Sequence, residues 1–330
     1  MKNVGITTTV PIEVLIAGGY RPLDLNNLFV GDPHPEELVS MAEKKGFPQT
    51  SCTWIKGVYG ACHKYALDTI LYVMQGDCSG SLELAEVLRS EGKNCISFSY
   101  PDFPHLGRMQ EQLENLASAL GTSLKEAERV RRKILPYRVL SRKLDELTWK
   151  EDLVSSWENH FFLVSTSDFE GNFQAYRRKA CGLIAGCGKR RPYPPSFIRL
   201  GYIGVPPIFA RSLYHFLERK RARVVFNELQ YQFSMPSPGG CLAQQYIDYT
   251  YPYSSSYRLR SILLELRKRK AQGVIHYVQS FCHRQISDIV FRKEIDLPIL
   301  TLEGNTNYTL DQQAMTKVEA FIDMIRRRGK

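Results

Sequence analysis

The sequence predicts an α/β protein of two doubly wound, Rossmann-like lobes with parallel sheets and a helical insertion between them. Three observations carry this. Short apolar runs with β-branched or aromatic members alternate with amphipathic stretches in both halves of the chain. Between those halves, Leu106–Trp157 is long, heavily charged and of helical period. The 330 residues hold enough apolar content for two real cores. The expected division is an N-terminal lobe over 1–190, with its helical region at about 106–185, and a C-terminal lobe over 191–330. The stretch Gly186–Pro195, GCGKRRPYPP, reads as the linker because it combines glycine, charge and proline.

Each element has its own signal. A helix is expected around Pro11–Ala17, with proline in its first turn and Gly18-Gly19 closing it. A strand follows at Arg21–Leu25, then a polar loop and a helix at Glu36–Lys45. Cys52 opens what reads as a helix. Ile70–Met74 is a strand that runs into Gly76-Asp77-Cys78-Ser79-Gly80-Ser81, followed by a helix at Leu82–Glu91 and a strand at Cys95–Ser99. In the insertion, Gly121-Thr122-Ser123 and Pro136 divide two or three helices, and His160–Ala185 continues as helix and connector. The second half repeats the alternation. Strand Ile198–Ile203, helix Arg211–Lys220 and strand Arg223–Phe226 lead to a Pro/Gly-rich loop, Ser234–Gly240, that ends at Cys241. Helix Tyr257–Lys270, strand Gly273–Gln279, helix Ile286–Ile295 and strand Pro298–Leu302 follow, and a helix over Leu310–Arg328 closes the chain.

Composition narrows the function. The formal net charge is +10, but the basic residues are spread out. Arg326–Lys330 reads as a helix C-terminus, where cations suit the dipole, and Glu265–Lys270 as the solvated face of a helix. The charge supports weak attraction for anionic ligands such as nucleotide-like coenzymes or an acidic protein, not a nucleic-acid interface. No apolar run reaches spanning length and no secretory signal is recognised, so a cytoplasmic location off the membrane is expected. Eight cysteines in such a setting point to metal ligation, redox chemistry or core filling rather than disulfides. There is no G-x-G-x-x-G, P-loop, C-x-x-C or G-x-S-x-G.

What remains is a repeated arrangement. Cys78 and Cys282 each stand between a strand end and a helix start, and Cys52 stands at a helix start. That is where ligands bind in open parallel sheets, and where helix dipoles and unpaired amides favour a thiolate. The plain alternative is a set of buried structural cysteines. Three thiolates converging from separate turns would suit a [4Fe–4S] cluster with one iron left open. Asp77 and Ser79 flank Cys78 as cluster or substrate hydrogen-bonders, or as ordinary helix caps. Lys56 and His283 lie within a turn of a ligand cysteine, as proton donors or as solvated residues. Glu303 follows the last strand and faces either cleft or solvent, and the tyrosines of Tyr246–Tyr257 wall a pocket or pack a loop. Cys95, inside a strand, reads as core.

The segments PIEVLIAGGYRPLDL, the Ser51-Cys52 turn, GDCSGSLEL, GVIHYVQSFC and LPILTLEGN with DQQAMTKVEAFIDM are spread over most of the length of the chain. Through them it resembles the 2-hydroxyacyl-CoA dehydratase and benzoyl-CoA reductase superfamily, D-component type. The resemblance implies an iron–sulfur cluster in the cleft between two α/β lobes, held by Cys52, Cys78 and Cys282. It implies electrons arriving singly from a separate ATP-dependent iron–sulfur activator, a small-molecule or acyl-CoA substrate, and a homodimer or a heterodimer with a related subunit. TWIKGVYG followed by GDCSGS is more similar to the double-cubane branch, whose [8Fe–9S] cluster takes further cysteines and whose members reduce small molecules. The short chain and surplus cysteines put that branch first. The dehydratase subunit with a [4Fe–4S] cluster, or a non-catalytic partner subunit, is the alternative. Cys241, Cys62 and Cys187 are the further ligand candidates, with Cys241 ahead because a second-lobe turn precedes it. Cys62 lies about 15 Å along the helix from Cys52.

Overall fold

The computed structural model describes residues 1–237 and 239–328. Pro238, in the loop ahead of Cys241, and Gly329-Lys330, at the end of the basic C-terminal run, lie outside the described residues. The chain forms two compact units, each made of separate segments. Unit 1 comprises Met1–Val139, Ser165–Tyr176 and Met235–Ser254. Unit 2 comprises Leu140–Val164, Arg177–Ser234 and the chain from Ser255 onward.

Unit 1 is built on four parallel strands, β1 (Lys2–Ile6), β2 (Tyr20–Asp24), β3 (Thr69–Gln75) and β4 (Asn94–Ser99), in the order β2-β1-β3-β4. Unit 2 repeats that order with β5 (Ile198–Gly204), β6 (Ala222–Asn227), β7 (Gly273–Gln279) and β8 (Ile299–Gly304), arranged β6-β5-β7-β8. Helices connect every successive pair, as parallel pairing requires. β6 and β7 are buried along their whole length, so they are mostly apolar, and the polar residues they carry, Arg223, Asn227, His276 and Gln279, are buried as well. In unit 2 one core gathers Leu200, Tyr202, Leu213, Ile275, Tyr277, Phe321 and Ile325. A second gathers Ile203, Phe226, Leu259, Ile262, Val274 and Phe291. Adjacent residues of β5 and β7 thus supply different cores, which is the period-two signature of a sheet covered on both faces.

Several sequence expectations change. The central strand of unit 1, β1, was not among the expected strands: its apolar run is only Val4-Gly5-Ile6. A helix also forms at Leu25–Gly31, where a polar loop is expected, and helices form at Glu228–Phe233 and Leu242–Asp248, where no element is expected. Pro136 does not divide the insertion but lies inside the helix Leu124–Trp149. Proline in a helix interior removes one backbone hydrogen bond, and here Arg138, two residues on, is locked to Glu13 Oε1 at 2.5 Å in a fully buried ion pair. Glu265–Lys270 is solvated only at Arg267, Lys268 and Lys270. Glu265 and Arg269 are buried, and Arg269 reaches Asp145 Oδ1 and Oδ2 at 2.8 and 2.7 Å, Glu265 Oε2 at 2.7 Å and Val225 O at 2.7 Å.

The loop before Cys241 falls in unit 1, not in the second lobe. Tyr246 donates to Val10 O at 2.9 Å and to Glu13 Oε2 at 2.7 Å, Gln245 Nε2 donates to Glu13 Oε1 at 2.9 Å, and Arg131 Nη2 donates to Gly240 O at 3.2 Å. Of the tyrosine run, Tyr246, Tyr249, Tyr251 and Tyr253 are buried as packing. Among the described residues no helix is long and apolar enough to cross a membrane.

Candidate functional site

In a sheet ordered 2-1-3-4 the connections leave in opposite directions from the first and third strands. The crevice beyond their carboxyl ends is the topological switch point. In unit 1 that point lies between β1 and β3, and in unit 2 between β5 and β7. Cys78 follows β3 and Cys282 follows β7, so the two cysteines occupy equivalent places in two sheets of equal topology.

Each turn departs from its strand through a left-handed residue. After β3 this is Gly76, φ 98°. A Cβ there would stand 2.7 Å from Tyr100 Cβ and 3.0 Å from Pro252 Cβ, so both the backbone angle and the space require glycine. After β7 it is Phe281, φ 65°. Ser81 N then donates to Cys78 O at 3.0 Å, and Gln285 N to Cys282 O at 3.1 Å, so each cysteine carbonyl accepts from the residue three on. Cys78 leads into the helix Gly80–Ser90, and Cys282 into a 3-10 turn, His283–Ile286, and the helix Ser287–Glu294.

Cys52 caps the helix Thr53–Lys64, and its carbonyl accepts from Lys56 N at 3.2 Å. Small residues on the buried face let this helix approach Pro35–Lys45 closely: a Cβ on Gly60 would stand 2.3 Å from Leu38 O. Gly80 does the same between the two cysteine turns. A Cβ there would meet Ile55 Cγ1, one turn beyond Cys52, at 2.9 Å and Cys78 Sγ at 3.3 Å. The Cys52 and Cys78 turns are therefore neighbours in unit 1, with no side chain on Gly80 to separate them.

Cys52, Cys78, Cys241 and Cys282 are all half-buried at helix or 3-10 starts. Cys241 belongs to unit 1 and caps Leu242–Asp248. Cys62 and Cys187 are different. Cys62 is fully buried, and burial first, with Cys95 nearby, pushes its thiol up to about 12. Cys187 ends the helix Phe173–Cys187 and is buried, and burial pushes its thiol up as well. Both read as protonated core thiols. Cys95 is half-buried on β4 and its thiol is also raised by burial, while Cys181 is exposed.

The polar candidates divide similarly. Lys56 is buried, its Nζ held by Glu43 Oε1 at 2.8 Å and by Gln49 O at 3.4 Å, so it is neither solvated nor a mobile proton donor. Ser79 is exposed and makes no side-chain cap bond, and Asp77 is half-buried beside it. His283 is exposed; desolvation and then Arg284 hold its imidazole below the usual range. Glu303 is exposed, and its Oε1 accepts from the Ser280 hydroxyl at 3.0 Å, on the Cys282 turn.

Three buried polar atoms near these turns have no hydrogen-bond partner among the described residues: Thr7 Oγ1 and Thr9 Oγ1, just beyond β1 at the switch point, and Trp54 Nε1, two residues after Cys52. Nothing in the sequence marked them. Half-buried thiols with unspent polar atoms around them fit a soft metal–sulfur group, whose sulfurs accept hydrogen bonds. Among the described residues, no three His, Cys, Asp or Glu side chains are gathered closely enough to hold one metal ion.

No curated protein matches the chain. Two solved structures of the SBP FpvC from Pseudomonas aeruginosa are among its matches. The Ni2+ complex is 13% identical with a TM-score of 0.26, over 100% of this chain and 98% of that one. The Mn2+ complex is 12% identical with a TM-score of 0.25, over 100% of both chains. Likeness at that level carries no argument about fold or ligand. The model of the 2-hydroxyglutaryl-CoA dehydratase D-component family matches residues 7–325, and the chain belongs to that family.

Proposed function

We propose that the chain is an iron–sulfur subunit for reductive chemistry on an acyl-CoA or other small substrate, with Cys52, Cys78 and Cys282 as the cluster ligands. The observation that carries this is the duplicated sheet with a half-buried cysteine turn at the same switch-point position of each copy. A cluster held by three thiolates supplies one low-potential electron at a time and one open iron. The chain's own part is to present the thiols from fixed turns and to set hydrogen bonds and burial around their sulfurs. A separate ATP-dependent iron–sulfur activator would deliver the electrons.

The four-iron form is favoured over the double cubane. A double cubane needs about six thiolates, and two of the eight cysteines, Cys62 and Cys187, are core thiols. Cys95 lies on a strand and Cys181 is exposed within the helix Phe173–Cys187, which leaves Cys241 as the further thiol at a helix start in addition to Cys52, Cys78 and Cys282. Asp77 and Ser79 stand beside Cys78, and His283 beside Cys282, as groups for a sulfur or a substrate oxygen.

The test is iron and acid-labile sulfide per chain on protein purified without oxygen, repeated on Cys282→Ala. About four irons, lost in the variant, are expected. About eight irons with nine sulfides would instead establish the double cubane and a search for small reducible substrates. Wild-type protein that stays iron-free after reconstitution would refute the cluster.

A further inference from the structure

The Cys282 turn is pinned on both sides, and on the helix side, beside a Ser255 hydroxyl bond to Ser287 at 2.9 Å, one carboxylate ties the helix start to two strands. On the strand side Ser280 N donates to Gly304 O at 2.8 Å, and Gln279 Nε2 donates to Asn305 O at 3.3 Å. Phe281 then turns left-handed. For a bulky residue that conformation costs about 1–2 kcal/mol, and Phe281, 52% exposed, recovers little by packing. The conformation must be imposed from elsewhere.

Beyond Cys282, Asp288 lies in the first turn of the helix Ser287–Glu294. Its Oδ1 accepts from His276 Nδ1 at 2.6 Å and from the Thr301 hydroxyl at 2.8 Å, and its Oδ2 accepts from Arg292 Nε at 2.7 Å. His276 on β7 and Thr301 on β8 are direct partners in the ladder. One oxygen therefore fastens the helix start across two paired strands. Burial keeps the imidazole of His276 below its usual range despite Asp288. The bonds from His276, Arg292 and Thr301 outweigh burial and hold the carboxyl of Asp288 below its own. An ionised acceptor against a neutral imidazole fixes the tautomer with hydrogen on Nδ1.

We propose that Asp288 is the positioning residue of Cys282: by clamping the helix start to His276 and Thr301, it holds the left-handed Phe281 and so fixes where the Cys282 thiol points. As a statement about a cluster this rests on the reading of Cys282 as a ligand; as a statement about the thiol it is testable without iron.

The test is residue-resolved alkylation of the full-length, iron-free chain with iodoacetamide, with Cys78 as internal standard. The Cys282:Cys78 rate ratio is expected to rise several-fold in Asp288→Ala and to rise less in Thr301→Val. A folded Asp288→Ala with the wild-type ratio overturns the proposal. If that variant unfolds, both cysteines speed up together, and Thr301→Val, which removes one arm of the clamp, decides: a wild-type ratio there overturns the proposal. Anaerobic reconstitution separates the two readings. A shifted ratio in a chain that takes up no iron leaves the clamp standing and ends the cluster reading. Normal iron with an unshifted ratio ends the clamp alone. In the loaded protein, Asp288→Ala is expected to alter the EPR line shape of the reduced centre.

Discussion

Replacing Arg269 with methionine tests whether the cluster of charges in unit 2 is a buried network. The guanidinium makes four hydrogen bonds of 2.7–2.8 Å, to both oxygens of Asp145, to Glu265 and to Val225 O, and lies 4.7 Å from the ring centre of Tyr231 and 5.1 Å from that of Phe226. Methionine fills much of the volume but leaves two carboxylates buried without their cation. Breaking a buried pair in this way costs about 3–5 kcal/mol. The lower end applies here, because Asp145 keeps Asn159 Nδ2 at 3.1 Å and Glu265 keeps the half-exposed Lys268 at 3.2 Å. About 3 kcal/mol is roughly two decades of an opening equilibrium. The two units need not unfold together, so native-state hydrogen exchange of β6 amides is the assay, with the β1 and β3 amides as control. The expected result is about a hundredfold loss of protection in β6 and none in β1 or β3. The double variant Asp145→Asn, Arg269→Met is expected to recover part of that loss, since it removes one uncompensated charge. A loss below about tenfold, or a double variant worse than the single, would refute the burial argument.

Three further outcomes follow from the geometry. Asp168, buried and next to Asp24, is raised to about 7 by burial first and by Asp24 second. Its unfolded carboxyl titrates near 3.8, so the folded state holds the proton more tightly, and stability from this group is lost as pH rises from about 4 to 7. Melting temperatures across that window are expected to fall less in Asp168→Asn than in wild type; equal slopes would show that Asp168 is already ionised at pH 4. Phe281→Gly releases the left-handed strain at small loss of burial and is expected to stabilise by about 1 kcal/mol in thermal melts. A destabilised variant would mean the ring is packed. Gly60→Ala forces a methyl to 2.3 Å from Leu38 O, a backbone atom that cannot step aside. It is expected to cost at least about 2 kcal/mol, seen as a lowered urea midpoint. A neutral result would mean that the helices Pro35–Lys45 and Thr53–Lys64 are not in contact there.

The strand-and-cysteine pattern was legible because it is local. Gly273–Gln279 is a short, mostly apolar run with β-branched and aromatic members, and Gly76 announces its turn by being glycine. β1 was missed because five residues with one glycine carry too little periodicity, although this strand completes the switch point of unit 1. Arg269 and Lys56 were misread because a charge on a helix looks solvated until its partners are known. Asp145 is 124 residues from Arg269, and no local rule links them. The Asp288 clamp was hidden for a related reason. His276 and Thr301 meet only because β7 and β8 pair in one particular register. Pro136 failed as a boundary because tertiary anchoring of Arg138 outweighed a propensity of about 3 kcal/mol.

The interleaving of segments has a consequence for how the protein is made. Glu13 emerges early from the ribosome, but its cation, Arg138, follows 125 residues later, and Tyr246 follows 233 later. Until then its carboxylate has to stay hydrated, because burying it alone would cost several kcal/mol. The first sheet can be synthesised in full by Ser99, yet its unit lacks Met235–Ser254 for another half of the chain. Nascent chains cut at residue 190 are therefore expected to remain open to protease and in need of chaperones. The first unit closes only after about half of the second has been translated, as slow, high-contact-order folding predicts.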